Sequence, residues 1–153
     1  MVEDIVLSPA EESMRAAAER LLATFGLATL DEASQFPEQY VAALIDGELV
    51  GLAGCELHGA DALLRSVAVE SEFRSRGLGV ALTEEALAQA REGGAKRAWL
   101  LTTTAPDFFA RLGFVPSDRG GAPAAIAATV EWSAACPASA VAMCLDFGEP
   151  AQA

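Results

Sequence analysis

The stretch Val67–Ala68–Val69–Glu70–Ser71–Glu72–Phe73–Arg74–Ser75–Arg76–Gly77–Leu78–Gly79 decides the fold. Its first three residues close an apolar run, Leu63 to Val69, that reads as a strand. From Val80 to Glu92, Leu82, Leu87 and several alanines make a helical face that Gly93–Gly94 ends. The loop between them, Arg74 to Gly79, carries glycines that permit positive φ and close approach of backbone to a ligand. Free N–H groups in such a loop converge on one anion, and the partial positive charge at the helix start adds to them. A pyrophosphate suits this geometry, with Arg74 or Arg76 supplementing the backbone donors. Taken alone, the same six residues also read as a tight turn.

Working toward the amino terminus, Asp61 and Gly59 mark a turn, and the apolar segments Leu49 to Leu57 and Tyr40 to Ile45 flank the corner Asp46–Gly47. An Asp-Gly pair accepts the positive φ of a type I′ hairpin, so three consecutive antiparallel strands are expected. Leu27 to Glu38, with the breaker Pro37, reads as a short helix or a loop near a substrate entrance. Ser8–Pro9–Ala10–Glu11 has the form of a capping box with proline at the first helical position. A helix is expected to start there and to present Met14, Ala17, Ala18, Leu21, Leu22 and Phe25 to a sheet before stopping at Gly26.

Toward the carboxyl terminus, Arg97 to Leu101 reads as a short apolar strand and Ala105 to Leu112 as a short helix closed by Gly113. A helical turn is expected within Ala124 to Val130, a final strand at Ala140 to Leu145, and a loose tail over 147–153. The 153 residues suffice for one α/β domain and not for two. The expected architecture is a mixed, mostly antiparallel central sheet flanked by helices.

Composition excludes several function classes. A hydrophobic fraction of 52% argues for a packed core. Asp and Glu total 22 against 10 Lys and Arg, and the net charge of -12 disfavours a phosphate backbone as partner, so no nucleic acid is expected. No apolar run is long enough to cross a bilayer, and Glu3 and Asp4 stand where a signal peptide would be basic. No membrane partner and a cytoplasmic location are the expectations. Cys55, Cys136 and Cys144 are spaced neither as a zinc site nor as a redox pair, so reduced thiols and no metal are expected.

With Val67–Ala68–Val69, Phe73 and Arg74 to Gly79 in place, the chain resembles the GNAT superfamily of N-acetyltransferases, whose pattern is Arg/Gln-x-x-Gly-x-Gly/Ala after such a strand. A second hallmark, aromatic-aromatic-x-x-x-Gly-Phe, is matched by Phe108–Phe109–Ala110–Arg111–Leu112–Gly113–Phe114. The resemblance runs from about Val6 to Leu145. It implies acetyl-CoA as acetyl donor and a parallel strand pair, Leu63 to Val69 and Arg97 to Leu101, splayed to admit the thioester.

Residue by residue, the resemblance implies that backbone groups of Val67 and Val69 hold the pantetheine arm. Arg74, Ser75, Arg76, Gly77, Leu78 and Gly79 would hold the pyrophosphate, and Thr102 stands where many members place a cofactor-touching asparagine. A backbone N–H near Val67 is the implied oxyanion donor. Phe109 occupies the cofactor-side position at which many members carry a tyrosine that protonates the departing thiolate; Thr103 or Thr104 could substitute.

The acceptor amine needs a route for its proton. Glu56 and the sole histidine, His58, are two residues apart on one face of a strand and are candidate bases; both also read as solvated surface groups. Arg65, a charge inside an apolar strand, requires a counter-charge and is a candidate partner for a substrate carboxylate or half of a structural ion pair.

A narrower likeness is carried by Leu64 to Val69, Leu101 to Phe114, Pro123-x-x-Ile126-x-x-Thr129 and Cys136–Pro137–Ala138–Ser139–Ala140. These stretches resemble the arsenic-resistance-associated N-acetyltransferases, which are similar to the enzymes acetylating phosphinothricin and arsinothricin. That branch implies a small amino acid analogue as acceptor, and a thiolate at Cys136 as a soft ligand for a trivalent arsenical. The alternatives are a protein acetyltransferase acting on an amino terminus or lysine, and a non-catalytic acetyl-CoA- or arsenical-binding module. An isologous dimer through the carboxyl-terminal strands is the expected assembly.

Overall fold

A computed structural model of the chain describes residues 5–27, 30, 35–129, 132 and 139–148, with the side chains of Ser75 and Arg76 outside that description. The expected hairpin forms from Tyr40–Ile45 (β2) and Glu48–His58 (β3). Ile45 opposes Glu48, so the corner is two residues long, with φ of 50° at Asp46 and 80° at Gly47. Both values lie where Asp and Gly are tolerated and most residues are not. Asp61–Val69 (β4) follows antiparallel to β3, which completes the three expected strands.

Ser8–Pro9–Ala10–Glu11 does not open a helix as its capping pattern suggests. Ile5–Pro9 is a strand (β1) at the edge of the sheet, with Pro9 opposite Val41, and helical backbone begins only at Glu12. An edge strand can end on a residue without an N–H, and the ladder to β2 outweighs a local capping preference. The helix proper, Arg15–Thr24 (α1), packs its buried Ala18, Leu21 and Leu22 on Tyr40, Ala42, Leu52 and Ala68 of the sheet. Gly54 lies opposite Tyr40, and a Cβ there would come within 2.3 Å of the tyrosine ring, so the glycine is the space the ring occupies.

On the other face lies Leu78–Glu92 (α2), whose Leu82, Ala86 and Ala90 pack with Val41, Cys55 and Leu64. Arg97–Thr102 (β5), Pro106–Arg111 (α3), the two-residue strand Val115–Pro116 (β6), a single turn Ala124–Ala127 (α4) and Val141–Asp146 (β7) complete the chain. Gly113, at φ 102°, ends α3 with paired bonds from Gly113 N to Ala110 O and from Phe114 N to Phe109 O. The sheet has seven strands in the order β1-β2-β3-β4-β5-β7-β6 and one parallel pair, β4–β5. The tail is held at its first residue, because Phe147 N donates to Lys96 O at 2.9 Å and the ring packs on the core.

Two features of β4 shape the site. Gly54 pairs with Arg65 but Leu52 pairs with Ala68, so β4 spends three residues where β3 spends two. The bulge falls at Ser66–Val67, with Ser66 at φ 61°. An extra residue reverses the alternation of side chains; Leu64 and Val69 consequently both join the α2-side core. The second feature is the short parallel ladder. Asp61, Ala62 and Leu63 pair with Arg97, Ala98 and Trp99, and there the pairing stops. Beyond that point β5 stays with β7 as far as Thr102–Val141, while β4 stays with β3 as far as Val69.

Candidate active site

The divergence of β4 from β5 opens a cleft of about 740 Å³. One wall is β4 from Leu64 to Val69, bulge included; the other is Leu100 to Ala105 with Phe108 and Phe109. Asp61 pins the closed end of the strand pair: its Oδ1 accepts from Trp99 Nε1 at 2.9 Å and from Arg97 Nε at 3.1 Å. The splay expected between these strands is thus present, and it begins one residue after the last paired residue, Leu63.

At the cleft's outer end a 3-10 turn, Ser71–Arg76, hands over to α2 through Gly77 in the left-handed region at φ 74°. A Cβ on Gly77 would meet nothing within 4 Å, so the glycine serves the backbone conformation and fronts open space. The first intrahelical bond runs from Ala81 N to Gly77 O, which leaves the N–H groups of Leu78, Gly79 and Val80 without an acceptor inside the helix. Gly77, Gly79 and Val80 line the cleft, as does Arg74. This is a ready anion cradle, and it fits the diphosphate of a nucleotide-bearing acyl donor. Leu78 contributes only backbone, because its side chain is buried in the core.

Arg74 donates from Nε to Val69 O at 3.2 Å, and its guanidinium sits over the Phe25 ring at 4.3 Å. Phe25, Gly26 and Leu27 form the cleft's rim beyond α1. Leu27 opens the segment expected near a substrate entrance, whereas Phe25 and Gly26 are expected only to pack α1 on the sheet and to end it. An aromatic stacked on the phosphate-side arginine could have been sought only once the helix and the loop were known to meet.

Val67, Val69, Thr102 and Phe109 all line the cleft. The Thr102 hydroxyl oxygen accepts from Ala105 N at 3.0 Å and so fixes the turn into α3. Phe109 is held edge-on by Phe108 and Phe114, with centroids 5.0 and 5.9 Å away. Thr103 and Thr104 also line the cleft.

Arg65 lines the cleft as well, at 7% exposure, and donates from Nη1 to Glu56 Oε2 at 3.1 Å. Glu56 is only 2% exposed and lies behind Arg65, away from the cleft wall. Its other oxygen meets His58 Nε2 at 3.5 Å. Burial pushes the Glu56 carboxyl above its ordinary range, and the charges of Arg65 and His58 pull it part of the way back. The three residues therefore form one polar row, buried at Arg65 and Glu56 and half-buried at His58, in which only Arg65 touches the cleft. Glu56 is far from the solvated group its place beside a turn suggests. Cys136 and Pro137 lie outside the described residues, as does most of the segment 28–34. Among the described residues no group of His, Cys, Asp and Glu is placed to hold a metal ion, and no helix is long and apolar enough to cross a membrane.

A sequence model of the acetyltransferase (GNAT) family matches residues 6–114. Solved structures share the fold. Rv2747 from Mycobacterium tuberculosis, in complex with CoA and NLQ, superposes with a TM-score of 0.78 at 20% identity, covering 92% of this chain and 98% of that one. N-acetylglutamate synthase from Neisseria gonorrhoeae, complexed with coenzyme A and L-arginine, gives 0.78 at 16% identity over 95% of this chain, which spans only 34% of that longer protein. Naa50 from Arabidopsis thaliana, bound to the bisubstrate analogue CoA-Ac-MVNAL, gives 0.69 at 15% identity, covering 94% of this chain and 99% of that one.

Proposed function

Because the chain belongs to the acetyltransferase (GNAT) family, whose members are acetyl-CoA-dependent N-acetyltransferases, we propose that it acetylates the amine of a small carboxylate-bearing molecule such as an amino acid analogue. The observation that carries this reading is a single cleft with an anion cradle at Gly77 and a buried arginine, Arg65, on its wall. In this proposal Arg74 and the backbone from Ser75 to Gly79 take the pyrophosphate, and the edge of β4 that β5 leaves unpaired, at Val67 and Val69, takes the pantetheine arm. Thr102 and Phe109 shape the opposite wall.

Acetyl-CoA brings an already activated acyl group, so the protein's part is to orient the amine, accept its proton and stabilise charge on the acyl oxygen. Arg65 supplies the positive charge that would place a carboxylate, and Val67 N–H the donor to the acyl oxygen. Glu56 and His58 are the proposed acceptors of the amine proton, reached through intervening water, because the Arg65 guanidinium in front of them keeps its own protons. Within this class, organoarsenical and phosphinic amino acid analogues are the acceptors suggested by the likeness of the Leu101–Phe114 and Pro123–Thr129 stretches to arsenic-resistance-associated enzymes. A cytoplasmic, homodimeric enzyme is part of the same proposal.

The test is acetyl-CoA consumption, with product masses determined, against phosphinothricin, arsinothricin, common amino acids, polyamines and short peptides. Acetylation confined to small amino acid-like acceptors supports the proposal. Turnover with peptides alone would replace it with a protein acetyltransferase, and cofactor binding without any product would replace it with a binding module.

A further inference from the structure

Ser66 is the one residue in the interior of β4 with a left-handed backbone, at φ 61°. A side chain there is strained relative to glycine. The position nevertheless carries a serine, a residue 7% exposed that lines the cleft at the bulge where β4 has already parted from β5. Strain placed at a cleft is an observation in search of a use.

The hydroxyl has one proton to give and two lone pairs to receive with. Arg65 Nε donates to Ser66 Oγ at 3.3 Å, and Arg65 is itself held by Glu56 at 3.1 Å. Since Oγ is receiving from a guanidinium, its own proton is directed elsewhere, and the neighbouring positive charge makes it a stronger donor. The next donor along the chain is the backbone N–H of Val67, a residue that also lines the cleft, and it is only a few covalent bonds from Oγ. We propose that the Ser66 hydroxyl is a catalytic residue: together with Val67 N–H it forms a two-donor site for the acyl oxygen of the bound thioester. The inference rests on the assignment of the cleft to acetyl transfer.

In the step served, the amine nitrogen forms a C–N bond to the acyl carbon and loses one proton. The C–S bond breaks with its electron pair going to sulfur, which takes up a proton. Ser66 keeps its own proton throughout and acts by hydrogen bonding to the charge that gathers on oxygen.

The test uses the full chain and acetyl-CoA labelled with ¹³C at the thioester carbonyl, bound without acceptor and read by difference infrared spectroscopy. Two donors on the oxygen should lower the carbonyl stretching frequency of the bound thioester. Ser66→Ala should lose a clear part of that shift, lower kcat about 10²-fold, and leave the Kd for acetyl-CoA within about threefold. Ser66→Cys, a weaker donor with the same Cβ, should fall between in both readouts and carries the test if the alanine variant does not fold. A carbonyl band and kcat unchanged in the folded variants overturn the role of Ser66 while leaving the cleft assignment standing. Wild-type protein that binds acetyl-CoA with no carbonyl shift overturns the two-donor site, and wild-type protein that does not bind it overturns the cleft assignment as well.

Discussion

Glu56 and Arg65 face one another from adjacent strands, Nη1 to Oε2 at 3.1 Å, and both are almost fully withdrawn from water. Removing one partner of such a pair strands the other's charge in the interior, at a cost of about 3–5 kcal/mol. Arg65→Met should therefore destabilise the fold strongly in urea titrations. Arg65→Met combined with Glu56→Gln should recover much of the loss, because neither remaining group is charged. A double variant no more stable than the single would show that the pair is not coupled.

The same pair sets a pH dependence. Burial raises the carboxyl of Glu56 above its ordinary value of 4.5, so the folded chain holds that proton more tightly than the unfolded chain does. The contribution to stability is then full below the unfolded value and is lost as pH rises through the window up to the folded value. Glu56→Gln should abolish this slope. Arg65→Met should extend the window upward, since a charge that favours the ionised carboxylate is gone. Unfolding free energy measured from pH 4 to pH 8 for the three proteins checks both statements.

Gly77 combines φ 74° with open space in front of its Cα. Gly77→Ala should cost about 1 kcal/mol of stability through backbone strain alone and weaken acetyl-CoA only moderately. Gly77→Glu adds bulk and negative charge where the proposed function puts the pyrophosphate, and should weaken acetyl-CoA at least about 30-fold, or ~2 kcal/mol. Calorimetric titration of both variants separates strain from charge, and equal affinities would remove the cradle from this position.

How far these features could be read beforehand depends on how local their causes are. The Asp46–Gly47 corner and the Gly77 loop are written in glycines whose backbone needs are visible in the chain itself. Ser8 and Pro9 also carry a local signal, for a helix, but the ladder to Val41 and Ala42 decides their state, and a partner 32 or 34 residues away leaves no mark on a four-residue motif. Ser66 is harder still. Serine shows no preference for positive φ that would betray a bulge, so its place on the cleft wall emerges only when Gly54–Arg65 and Leu52–Ala68 are seen to be out of step. The motifs thus marked the Gly77 end of the cleft, whereas the polar row behind Arg65 needed the fold of β3 onto β4.

Asp61 closes the cleft at its base by accepting from Trp99 Nε1 and Arg97 Nε. Asp61→Ala would leave the indole N–H without this acceptor, a loss of about 1–3 kcal/mol, and would loosen the strand pair just where it must be rigid. The expected result is a lower Tm, a changed tryptophan emission and a raised KM for acetyl-CoA. A lower Tm with KM unchanged would confine Asp61 to stability.

Phe109 lines the cleft wedged between Phe108 and Phe114. It stands where a hydroxyl would serve the departing thiolate in the mechanism that the family resemblance implies. Phe109→Tyr adds one oxygen at the ring tip; the edge-to-face contacts fix the ring, so the variant should fold with little change in Tm and bind acetyl-CoA within about twofold of wild type. If proton delivery to sulfur limits turnover, kcat should rise several-fold near neutral pH and fall again as the added phenol ionises at about pH 10. That rise with an alkaline limb is the expected outcome. A kcat and pH profile identical to wild type would place the limiting step elsewhere, at amine deprotonation or product release, and would mean that this chain has no need of the hydroxyl it lacks.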